Sequence, residues 1–130
     1  MQLSSFLRTV LKLDAASCLA MAASLIGTAD LLSPLFGLPI AMLTEAAILL
    51  VLVGLFILWL GTRERSSPTL VRVVVFGNVG WAAASFVSLG LVPSITGLGL
   101  AAVCGQAVAV LALAALEWRG LRESLWASPA

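Results

Sequence analysis

Asp14, Asn78, Trp81 and Gln106 are the side chains best placed to do chemistry, because they interrupt stretches that are otherwise apolar. An ionisable group inside a membrane span costs at least about 2.5 kcal/mol at the helix centre, so each such residue is a candidate functional position. Asp14 lies six residues after Arg8, and Asn78 six after Arg72. At helical rise both are then about 9 Å inward from a basic residue, at one level. An acid and an amide at that depth can bind a proton or a cation. They can also bond to each other as structural glue, worth about 0.6 to 2 kcal/mol per contact in a membrane. Arg72 is long enough to reach back and neutralise Asp14.

Asn78, Trp81, Ser85 and Ser88 follow helical spacing and share one face. Trp81 lies about 13 Å inside by the same rise, too deep for an interfacial belt, so it packs in a bundle or lines a cavity. Gln106, near the middle of the last apolar stretch, needs a partner on another helix or another subunit, since an unmatched amide in lipid is expensive. Glu45 starts the second apolar stretch at its outer end. There a carboxylate is favoured by the helix dipole or lines an outer vestibule.

Other chemistry is missing from the sequence. There is no histidine and no tyrosine, and Cys18 and Cys104 stand alone, which points to neither a metal site nor a disulfide. No glycine-rich phosphate loop, nucleophile elbow or carboxylate pair on one helix is present. The expectation is a non-enzymatic protein without cofactors.

The elements that must position these residues follow from composition. Of the 130 residues, 62% are hydrophobic and only 10% charged. A soluble domain carries roughly 25% charged residues, so lipid is the solvent expected here. The net charge of +1 and the scattering of basic residues argue against nucleic acid. Apolar stretches run from Ala15 to Ala29, Ala46 to Thr62, Val73 to Val92 and Ile95 to Leu116. Each is helix rather than strand, because a lone strand cannot satisfy its backbone in lipid. Met1 to Ser24 imitates a cleaved leader, but Arg8, Lys12 and Asp14 fall where a signal peptide is uncharged, so it reads as a retained first span. The predicted helices cover residues 6–29, 42–62, 70–92 and 95–118, in a single all-α transmembrane domain.

Orientation follows from the seven basic residues. Arg8 and Lys12 precede span one, Arg63, Arg65 and Arg72 lie between spans two and three, and Arg119 and Arg122 follow span four. The positive-inside rule then puts both termini in the cytoplasm, in a multi-pass protein of the cell inner membrane. Trp59, Trp118 and Trp126 form an aromatic belt at that interface. The outer segment Asp30 to Ile40 is apolar, and Ser33-Pro34 offers a helix start within it. It is expected to lie flat in the outer interface.

The chain also repeats. A shift of 64 places Arg8 on Arg72, Asp14 on Asn78 and Ser24 on Ser88, and a shift of 59 lays Trp59-x-Gly61-x-Arg63-Glu64 on Trp118-x-Gly120-x-Arg122-Glu123. Rare polar and tryptophan matches carry this reading, since alanine and leucine match by chance. The expected fold is a four-helix bundle of two parallel-repeat hairpins, with sites tending to the repeat interface. Gly97, Ala101, Gly105 and Ala109 form a small-residue ridge suited to close helix contact. The leading expectation is an oligomeric or accessory subunit of a membrane complex. The alternative is a small oligomeric transporter or channel for a small solute.

Overall fold

A computed structural model describes residues 1–127, which form four helices: α1 (Ser5–Phe36), α2 (Ile40–Gly61), α3 (Pro68–Leu91) and α4 (Gly97–Ala127). Each is long and apolar enough to cross a membrane, so the chain is a multi-pass, all-α membrane protein. The shortest, α2, has 22 residues and rises about 33 Å, matching a hydrocarbon core of about 30 Å.

Local chemistry sets the helix ends. Ser4 caps α1, its Oγ accepting the Leu7 N–H at 3.1 Å. Ser67 caps α3 ahead of Pro68 in the first turn, and Thr96 Oγ1 accepts the Gly99 N–H at the start of α4. The termini depart from the sequence expectation at two places. α1 does not stop near residue 29 but continues to Phe36, taking up most of the expected outer loop. A break in helical geometry at Thr28 lets it bend, and Thr28 Oγ1 bonds back to the Ser24 carbonyl, a contact that bends helices. Pro34 is inside this final segment rather than at a new start. At the other end, α4 runs nine residues past the expected 118, to Ala127. The remaining bounds move by about two residues, as helix ends commonly do.

Gly37 ends α1 in the left-handed conformation, φ 69°, its N–H bonded to the Ser33 carbonyl at 2.9 Å. The two connectors at this end of the bundle are tied together. Thr96 N–H donates to the Phe36 carbonyl at 3.0 Å, Thr96 Oγ1 to that of Leu35 and Ser94 Oγ to that of Gly37. The approach is so close that a Cβ on Gly99 would sit 2.1 Å from the Phe36 carbonyl oxygen.

The opposite end gathers the basic residues. Here Leu3 N–H donates to the Glu64 carbonyl and Ser66 N–H to that of Met1, both at 2.9 Å, with an isolated bridge between Gln2 and Arg65. Ser4 N–H donates to Ser124 Oγ at 3.0 Å. The start of the chain, the α2–α3 connector and the end of α4 therefore lie together. Arg63 stacks over Trp59 and Arg119 over Phe6 at this level.

The packing order is α2, α1, α4, α3. α1 lies along α2, α3 along α4, and α1 against α4, whereas α2 and α3 scarcely touch. The buried face of α1 (Leu7, Leu11, Ala15, Cys18 and Ala22) follows a spacing of three and four. It packs on Leu50, Ile57 and Leu60 of α2 and on Leu121 of α4. Gly120 allows α4 to approach α1, since a Cβ there would lie 3.0 Å from Leu7 Cβ.

Candidate functional site

Three helices deliver polar side chains to one buried point. Asn78 of α3 donates from Nδ2 to Asp14 Oδ2 of α1 at 2.7 Å and to Glu117 Oε1 of α4 at 3.0 Å. Relative exposure is 1% for Asp14, 6% for Asn78 and 0% for Glu117, so all three side chains are buried. Cys18, one turn along α1, donates its thiol to Asp14 Oδ1 at 3.7 Å. Glu117 Oε2 is buried and has no hydrogen-bond partner. Arg72 does not neutralise Asp14: it is exposed, and the ion pair found among the described residues is Arg119–Glu123, on the surface of α4. The planar amide of Asn78 satisfies the acid where a long, well-hydrated guanidinium would have to leave the interface.

A second polar group lies on the same face of α3. Trp81 Nε1 donates to Gln106 Oε1 at 2.9 Å, and Gln106 Nε2 donates to Ser85 Oγ at 2.9 Å and to the Val103 carbonyl at 3.0 Å. Ser85 and Ser88 bond back along α3, to the carbonyls of Trp81 and Ser85. Gln106 thus finds its partner on α3 of the same chain, and Trp81 is half-buried between the helices.

Because α2 and α3 stand apart, an open cleft runs between them. Its deeper part, about 390 Å³, is walled by Leu50, Phe56 and Ile57 of α2 and by Val74 and Trp81 of α3, with Asn78 and Gln106 at the polar margin. A second cavity of about 290 Å³ continues toward the Gly37 end and shares Trp81 and Gln106. Its size and largely apolar lining with a few polar groups are those of small-molecule sites. A lipid chain or another helix would meet the same walls.

The structure therefore joins Asp14 to Asn78, and Trp81 to Gln106, in two separate bonded groups. It does not bring Glu45 to either. Glu45 sits six residues past Pro39, the α2 cap residue, and is exposed. No acidic side chain lies in the first turn of α2, so the capping role expected for Glu45 is not seen. Cys18 joins the first group, which the reading of it as an isolated cysteine missed.

Glu117 is the residue that sequence reasoning overlooked. It stands beside Trp118, Arg119 and Arg122, and so resembles part of a charged interface. Its spacing carried a signal: Glu117, Gly120, Leu121 and Ser124 recur at three and four along one stripe, and all are buried.

Among the described residues, no cluster of three or more histidine, cysteine or acidic side chains suits a metal ion. The first group instead offers acid oxygens and an amide, which can hold protons and hydrogen-bond donors. No family profile matches the chain, and no curated protein or solved structure matches it.

Proposed function

We propose that this chain is a non-enzymatic membrane subunit that works by packing, with copies of itself or within a larger membrane complex. The observation that supports this reading is that the polar side chains in the bundle are bonded to one another, while the outer surface is apolar. That surface includes the ridge of Gly97, Ala101, Gly105 and Ala109, all exposed along α4. A Cβ on Gly97 or Gly105 would meet nothing within 4 Å, so the ridge is not used inside the chain. Small residues on a membrane helix let a second helix approach closely. Native mass spectrometry after extraction in mild detergent tests the proposal. Oligomers or a co-purifying membrane protein are expected, and Gly105→Leu should weaken them. A stable monomer with nothing attached would overturn it.

The same proposal places the basic end in the cytoplasm of a cell with an inner membrane, by the positive-inside rule. It also includes an ancestry from two copies of a helical hairpin. Repeat-matched Asp14 and Asn78 meet, and α1 with α2 pairs as α3 does with α4. The copies have diverged where α1 closes on α4 while α2 stays away from α3.

One observation favours a second reading, that of an oligomeric transporter or channel: the cleft between α2 and α3 reaches Asn78, Trp81 and Gln106. A cysteine at Ala84, on the wall of both cavities, separates the two. In a water-filled path it reacts with a charged, membrane-impermeant thiol reagent. In a cleft filled by lipid or a helix it does not.

A further inference from the structure

We infer that Asp14 and Glu117 form a proton-binding carboxyl pair, with one proton carried on Glu117 Oε2 and directed at Asp14.

Donors and acceptors around the two buried acids do not match in number. The two carboxyls present four oxygens. Asp14 Oδ2 and Glu117 Oε1 each take one N–H of the Asn78 amide, and Asp14 Oδ1 takes the Cys18 thiol. The fourth oxygen, Glu117 Oε2, belongs to a side chain with no exposed surface and has no partner. Glu117 and Asp14 share the Asn78 amide nitrogen, at 3.0 and 2.7 Å, so their carboxyls are neighbours. Two ionised carboxylates cannot bond to each other, because both are acceptors only. A proton on Oε2 turns it into a donor, satisfies the orphan oxygen and closes the count.

Charge leads to the same assignment. The shared amide nitrogen holds the two acid oxygens within about 6 Å of one another, a range in which like charges strongly oppose joint ionisation. Facing the pair, α1 contributes Asp14 and Cys18, α4 contributes Glu117, and α3 contributes the neutral Asn78. Lys12, Arg72, Arg119 and Arg122 are exposed on their helices, Arg8 is half-buried six residues before Asp14 but makes no ion pair with either acid, and α2 carries only Glu45, near its other end. With no cation paired to either acid among the described residues, one proton leaves a single negative charge. Asp14 already receives two donors, from Asn78 and Cys18, so the proton falls to Glu117.

Infrared spectroscopy of the full chain in a bilayer at neutral pH, with glutamate carboxyls labelled with carbon-13, tests the assignment. The chain has four glutamates, of which Glu45, Glu64 and Glu123 are exposed and Glu117 is buried. One label-shifted protonated-carboxyl band is expected, and it should vanish in Glu117→Gln. That variant keeps a donor at the same position and should fold. The labelled parent decides the question even if it does not. Absence of the band, its appearance only under aspartate labelling, or its survival in Glu117→Gln would each overturn the inference.

Discussion

Replacing Asn78 should unlock the junction of α1, α3 and α4, since its amide is the one group bonded to both buried acids. Interhelical hydrogen bonds in membranes average about 0.6 and reach about 1.7 kcal/mol. Two of them together are worth about 1 to 3 kcal/mol on that scale. Loss of the amide also leaves two acid oxygens buried without a donor, which moves the expected cost of Asn78→Ala to about 2–3 kcal/mol. Reversible unfolding in mixed micelles, followed by far-ultraviolet circular dichroism, measures it. Asn78→Leu, which has similar volume and no donor, should lose as much as Asn78→Ala. Arg72→Ala, exposed on the same helix, should stay within about 0.5 kcal/mol of the parent. If Asn78→Leu is as stable as the parent, packing rather than donation holds the junction, and the reasoning fails.

Three further expectations can be checked with the same material. Asp14→Ala should cost about 1–3 kcal/mol by stranding the Asn78 amide, while Asp14→Asn, which still accepts and donates there, should be nearly neutral; equal unfolding of parent and Asp14→Ala would remove the structural role. Gly99→Ala drives a Cβ into the Phe36 carbonyl and should cost about 1–3 kcal/mol in the same assay by straining the tied connectors; a parent-like melt would show that the connectors can part freely. With Cys18 and Cys104 removed, a cysteine at exposed Pro39 should react with an impermeant thiol reagent in intact cells, and one at exposed Glu64 should not. The reverse pattern would invert the orientation.

Much of the fold was legible because lipid leaves the backbone few options. A chain with so few charges must cross the membrane as helices that satisfy their own N–H and C=O groups, and all four appear near their predicted positions. Asp14, Asn78, Trp81 and Gln106 stood out for a related reason: a polar side chain in such a span is expensive, so its mere presence marks it. The sequence offered Asn78 or Arg72 as the partner of Asp14, and for Gln106 it named none. Tertiary structure decided that Asp14 bonds to Asn78 rather than to Arg72, and that Gln106 serves Trp81. It also decided that Glu117, disguised among interface residues, turns inward, because Gly120 lets α4 press against Leu7 of α1 and carries the stripe of Glu117 into the bundle. The extension of α1 to Phe36 depended on contacts far along the chain, where Thr96 and Ser94 hold its last carbonyls. Apolar faces are nearly equivalent to one another in lipid, so hydropathy leaves open which pair of helices closes. Close contact at single glycines and hydrogen bonds between distant residues chose α1 with α4, and left α2 and α3 apart.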